Sequence, residues 1–202
     1  MRHILRCSLW ISGFVFLMIG VLYSTQIVLR QWSSSEQYAV WYDYLNQAHH
    51  GDSHDLPGGR VLTVIENRTS AFWSDRGNLI GGLRQFLFVG FRGKRINATK
   101  RTTFYSFMLM NIWGAPIERR FQLIGSYDLA SRSETDSPEF QQKFPNNYGH
   151  VVLSSVGFNV EHTEAYFYIE HICGLCGGAR HVLMRKSRGR WKTVDEQYTW
   201  VS

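Results

Sequence analysis

The chain has 202 residues, 44% hydrophobic and 15% aromatic, with 22 Lys and Arg against 16 Asp and Glu for a formal charge of +6. That aromatic content excludes wholesale disorder, and the length beyond an apolar N-terminal stretch suits one domain with a sizeable core. The basic balance would suit nucleic acid or an anionic surface. No nucleic-acid motif accompanies it, so it reads as a solvated basic surface and no nucleic acid is expected as a partner.

Arg2 and Arg6 precede Leu9 to Leu29, a run without a charge that closes at Arg30. Its length matches the roughly 20 residues a helix needs to cross a bilayer core, with Trp10 and Tyr23 towards its ends. No small-residue cleavage site lies near Val21 to Arg30, so the run predicts an uncleaved anchor rather than a signal peptide. The organisation expected is a cytoplasmic N-terminus at 1–8, a transmembrane anchor at 9–29 in contact with the lipid bilayer, and an α+β domain at 33–202 outside the cytoplasm. The placement is that of a single-pass protein of the cell membrane.

Ser33-Ser-Ser-Glu36 has the form of a capping box, and Tyr38, Trp41, Tyr42 and Leu45 follow at helical spacing as one aromatic face. Such a face is core packing more often than a ligand grip. His49, His50, Asp52, His54 and Asp55 carry metal-binding side chains, but the adjoining Leu-Pro-Gly-Gly59 marks a connection, and a solvated loop is expected. Arg60 to Glu66 has strand composition. Asn78 is placed to cap a short helix bearing Leu79, Leu83, Phe86 and Leu87. Arg92, Lys94, Arg95, Lys100 and Arg101 form the densest basic patch, without stacking aromatics beside it. Thr102 is positioned to cap a second helix with Phe104, Phe107, Met108 and Asn111, although a strand also fits. Pro116 to Ile124 reads as a strand and Ala130 to Pro138 as a polar loop.

From Gly149 the pattern becomes dense. Val151–Gly157, Ala165–Ile172, His181–Lys186 and Trp191–Val201 are strand-like runs joined by short polar or glycine-rich connections, which force neighbouring strands antiparallel. The fold class expected is α+β: a curved antiparallel sheet of about five or six strands ending in this four-strand meander, with two or three helices. Aromatics on both faces of Tyr166 to Ile172 predict a sheet covered on both sides.

Phe144-Pro-Asn, Val156-Gly-Phe-Asn159, Cys173-Gly-Leu-Cys-Gly177, Gly189-Arg-Trp191 and Trp200-Val-Ser202 together resemble an uncharacterised family of bacterial exported or membrane-anchored proteins. The resemblance implies a location and a general design; it implies no reaction, and no catalytic residues carry over.

Glu170 to His181 holds the densest chemistry. Cys173 and Cys176 form Cys-x-x-Cys between two strand runs, flanked by His171 and His181. Outside the cytoplasm such a pair is a disulfide candidate that closes a very short loop. A thiol oxidoreductase would place the motif at a helix N-terminus, which the flanking strands do not supply. Zinc held by His171, Cys173, Cys176 and His181 is a third reading, with a ligand spacing of no familiar module. Free buried thiols in a glycine turn are the fourth. No nucleophile elbow, phosphate loop or zincin motif occurs. The expectation is therefore a membrane-anchored, non-catalytic binding or accessory module of the bacterial envelope, without a cofactor and with an envelope protein as partner. The alternative is a thiol-redox or zinc protein.

Overall fold

A computed structural model of the protein describes residues 2–49, 62–71, 95–123, 125–173 and 176–202, with backbone alone at 2–16, 32–33 and 48–49. The expected Asn78 helix, the His50–Asp55 cluster and the basic residues Arg92 and Lys94 lie outside the described residues. Two compact units are present, Met1–Ser34 and Ser35–Ser202.

Helix α1 (Arg2–His49) is continuous through Ser33, so no helix starts there and the expected capping box does not form. In the first unit Ser24 and Thr25 turn their hydroxyls back to Gly20 O (2.9 Å) and Val21 O (2.8 Å), as mid-helix hydroxyls do. Among the described residues no helix is long and apolar enough to cross a membrane. That finding overturns the transmembrane anchor at 9–29 and, with it, the single-pass placement with an outward-facing domain. The physical reason is local. From Leu17 onward, Ser24, Thr25 and Gln26 interrupt the apolar run, and Arg30 and Gln31 follow within the same helix.

Among the described residues, the second unit is a seven-stranded sheet with helices on both faces. Its strands are β1 (Leu62–Glu66), β2 (Ser126–Ala130), β3 (Asn147–Leu153), β4 (Gly157–Phe158), β5 (Glu164–Ile172), β6 (Gly178–Ser187) and β7 (Arg190–Val201). They lie in the order β2-β1-β3-β5-β6-β7, with β4 paired to β5. Strands β3, β5, β6 and β7 form an antiparallel meander. The sheet as a whole is mixed rather than antiparallel, because β1 runs parallel to both β2 and β3. Pro116 to Leu123 contributes only an isolated bridge, between Arg68 and Pro116, in place of the expected strand. Helix α2 (Arg101–Met110) precedes β2, and the expected polar loop holds the end of β2 and the short helix α3 (Arg132–Thr135). Helix α4 (Phe140–Lys143) follows.

Side-chain alternation divides the core in two. On one face Ile65, Val151, Leu153, Phe167, Ile169, Val182, Met184 and Trp191 pack against Val40, Trp41, Tyr44 and Leu45 of α1 and against Phe121. Burying each such large side chain contributes about 1.5–3 kcal/mol. Helix α1 is also fastened by polar contacts. Glu36 accepts from Lys186 Nζ (2.7 Å) and Trp191 Nε1 (3.1 Å), and Asp43 Oδ2 accepts from Trp191 N (2.8 Å). Burial opposes the Glu36 charge, but Lys186 and Trp191 together hold its carboxyl below the ordinary carboxylate range. On the other face Tyr166 and Leu183 meet Ile96, Phe104, Phe107 and Met108 of the α2 region. Nearer β1, Val64 and Ala130 meet Phe140 and Phe144. The expectation of a sheet covered on both sides is met.

Candidate functional site

At the end of the sheet where β3 begins and β5 ends, a cleft of about 300 Å³ opens between the cysteine turn and the α3–α4 segment. Thr135, Phe140, Gln141, Asn147, Tyr148, Gly149, His150, Ile172, Cys173 and Cys176 line it. Two segments far apart in sequence, 135–150 and 172–176, meet here because the antiparallel β3–β5 pairing brings them side by side. Val64 lies opposite His150, and His150 lies opposite Ile172, one residue before Cys173.

The cysteine turn forms one wall. The sulfurs of Cys173 and Cys176 lie at bonding distance, with their Cα atoms 5.1 Å apart. The segment around Cys176 is tied to the C-terminus: Gly177 N donates to Ser202 Oγ (2.8 Å), and Ser202 N donates to Gly177 O (2.9 Å). Gly149 makes the close approach of β3 feasible. Its φ is +93°, and a Cβ there would overlap Ile172 O and come within 2.7 Å of Cys173 Cα. Its N–H donates to Asn147 Oδ1 at 2.7 Å, and Asn147 Nδ2 donates to Gln141 Oε1 at 3.2 Å, joining β3 to α4.

His150 is buried at 5% exposure. Its ring stands edge-on to Phe140, centroids 5.7 Å apart. Its Nε2 lies 3.6 Å from Glu66 Oε1, beyond hydrogen-bond reach, and has no hydrogen-bond partner among the described residues. Burial pushes the imidazole pKa down, with Asp136 pulling the other way, so the ring is held neutral at physiological pH. Thr135 Oγ1 donates towards Glu66 at 3.4 Å and lies 3.0 Å from Arg132 O. The α3–α4 wall is tied to itself at its base. Ser131 N donates to Glu134 Oε2 at 2.6 Å, and Lys143 Nζ contacts the other oxygen of Glu134. Those two partners, Lys143 first, hold the Glu134 carboxyl down to about 2.

The two histidines flanking the turn separate. His171 lies opposite Gly178 and His181 lies opposite Tyr168, so the hairpin register puts them on opposite faces of the sheet. His171 pairs with Tyr148 O through Nε2 at 2.8 Å. His181 stacks on Tyr166, with centroids 5.3 Å apart, and meets Phe107 edge-on at 5.8 Å. The zinc set His171, Cys173, Cys176 and His181 is therefore not assembled, and the described residues hold no group of three or more His, Cys, Asp or Glu gathered to bind a metal. The sequence singles out neither His150 nor Thr135, nor Phe140, Gln141, Asn147 and Tyr148 beside them in the lining. No local motif marks them; only the sheet register brings them to the cysteines.

No protein-family model matches the chain, and no curated protein or solved structure does so. The resemblance along Phe144 to Ser202 rests on the sequence pattern alone.

Proposed function

We propose that the domain is a binding module whose ligand site is the cleft between the cysteine turn and the α3–α4 segment. The observation that carries this reading is the cleft itself, a space of about 300 Å³ walled by the α3–α4 segment, the start of β3 and the cysteine turn, with polar and apolar side chains converging on it. Ligand sites of folded proteins are typically concave, with an apolar lining and a few convergent polar groups. Phe140 and Ile172 offer an apolar edge, while Gln141, Asn147 and Thr135 offer hydrogen bonds. The chemistry suits a small organic molecule with one apolar side and one polar end, and a volume of about 300 Å³ sets its size. The reading needs no catalytic step.

The test is a fragment screen by thermal shift on the wild type and on Gln141→Trp. Gln141 is exposed on α4, so a tryptophan there plugs the cleft without disturbing the core. Fragments that stabilise the wild type and lose their effect in Gln141→Trp support the reading; stabilisation equal in both proteins refutes it.

A second reading is favoured by a separate observation, that both cysteines line the cleft. It is thiol–disulfide chemistry at the same wall. A strand–turn–strand setting supplies no helix N-terminus to activate a resting thiolate, which weighs against an oxidoreductase of the usual design.

A further inference from the structure

We propose that the cleft takes a low-molecular-weight thiol, which exchanges with the Cys173–Cys176 disulfide by attack at Cys176. The proposal rests on the cleft being a ligand site and names the class of molecule it serves.

Three observations lead to it. Cys173 and Cys176 both line the cleft, so a small molecule bound there lies beside the pair. Cys176 is exposed whereas Cys173 is half-buried, which leaves Cys176 the more open to in-line attack. The two Cα atoms are 5.1 Å apart in a turn three residues long, so a thiol released at Cys173 stays beside its former partner. Intramolecular return at that spacing has a high effective concentration, which makes the exchange rapidly reversible. A disulfide under attack needs no activated cysteine of its own. The nucleophile is the incoming thiolate, and the missing helix N-terminus is no obstacle.

The step balances without an outside oxidant. The incoming thiol gives its proton to water and becomes a thiolate. Its sulfur lone pair forms a bond to Cys176 Sγ. The Cys173–Cys176 bond breaks, its electron pair leaves on Cys173 Sγ, and that thiolate takes a proton from water. One disulfide replaces another.

The experiment uses the full chain carrying Cys7→Ser, so that only the cleft pair reports. The protein is mixed with N-acetylcysteine, quenched at intervals with excess N-ethylmaleimide, and analysed by intact mass and peptide mapping. An oxidised peptide with the sequence of residues 170–179 serves as the reference for an unassisted disulfide. The proposal expects exchange about tenfold faster in the folded protein than in the peptide. It also expects the probe on Cys176, the maleimide on Cys173, and a return to the peptide rate in Gln141→Trp with an unchanged circular-dichroism spectrum.

Exchange no faster than in the peptide, or unaffected by Gln141→Trp, overturns the proposal. N-acetylserine separates the two readings, since it has the shape of the probe without the thiol. If it binds the cleft while exchange stays at the peptide rate, the cleft stands as a ligand site and the thiol inference falls. If neither N-acetylserine nor any fragment binds and exchange is slow, both fall.

Discussion

Gly149 and Cys173 approach so closely that a β-carbon on Gly149 would sit 2.7 Å from Cys173 Cα. The first strand of the meander is thereby pressed against the cysteine turn, and the cleft has its shape because one residue lacks a side chain. Gly149→Ala must relieve both a positive φ and this overlap, at a cost of about 2 kcal/mol or more. Thermal unfolding is expected to show the loss, and amide shifts at Ile172 and Cys173 are expected to move more than those of α2. A variant as stable as the wild type would mean that β3 and the turn are not in contact.

Glu164 is buried at 1% exposure, and its partners lie on two other elements. Lys100 N (2.7 Å) and Thr103 Oγ1 (2.9 Å) donate to one oxygen and Arg185 Nε (3.2 Å) to the other. A strand carboxylate thus caps the start of α2. Glu164→Gln leaves Arg185 without its counter-charge and puts an amide N–H where an acceptor is required. The expected cost is about 2–3 kcal/mol, a melting temperature lower by roughly 5–10 °C. Differential scanning calorimetry checks it.

His181 sits among Tyr166, Tyr168 and Phe107, and burial pushes its pKa down from the ordinary 6.5 to about 4. The folded state therefore binds this proton less readily than the unfolded chain. Its neutral form is fully compatible with folding above pH 6.5, and stability is lost as pH falls from about 6.5 towards 4. His181 alone accounts for about 3 kcal/mol of that loss. His150 adds to it in the same direction. Urea unfolding at pH 7.5 and pH 4.5 measures the difference, and His181→Phe is expected to remove most of it.

The Cys173–Cys176 link closes a loop of sequence separation 3, so its stabilisation is small, about 1–2 kcal/mol against the usual 2–4. Replacing both cysteines by Ser is expected to lower the melting temperature by a few degrees with the meander still folded. A reductant acts similarly on the wild type and not on the variant. Because His171 and His181 face opposite sides, a chelator is expected to leave the melting curve unchanged. A chelator-induced fall would contradict that geometry.

Sequence pattern reached the C-terminal half well, for a physical reason. Short connections such as Ser187 to Gly189 leave antiparallel pairing as the only geometry, and the alternation from Tyr166 to Ile172 showed that both faces are apolar. The N-terminal half was less legible. Composition marked Leu62 to Glu66 as a strand but not its parallel partners β2 and β3, because parallel pairing depends on crossovers with no local signature. An uncharged run before Arg30 resembled an anchor, yet the helix carries on through polar residues to His49. His171 and His181 looked like neighbours along the chain. Only the hairpin register, set by the geometry of the turn, reveals that they point apart. The site was half visible in the same way: Cys173 and Cys176 announce themselves, whereas His150, Glu66 and Thr135 meet only in the folded sheet.

The proposed ligand site is the cleft beside Cys173 and Cys176. Amide shift mapping of the ¹⁵N-labelled chain against the stabilising fragments tests it most directly. Perturbations are expected to concentrate at Thr135, Gln141, Gly149, His150, Cys173 and Cys176, and to vanish in Gln141→Trp. Perturbations clustered elsewhere, such as along β7 or on the exposed side of α2, and indifferent to Gln141→Trp, would contradict it.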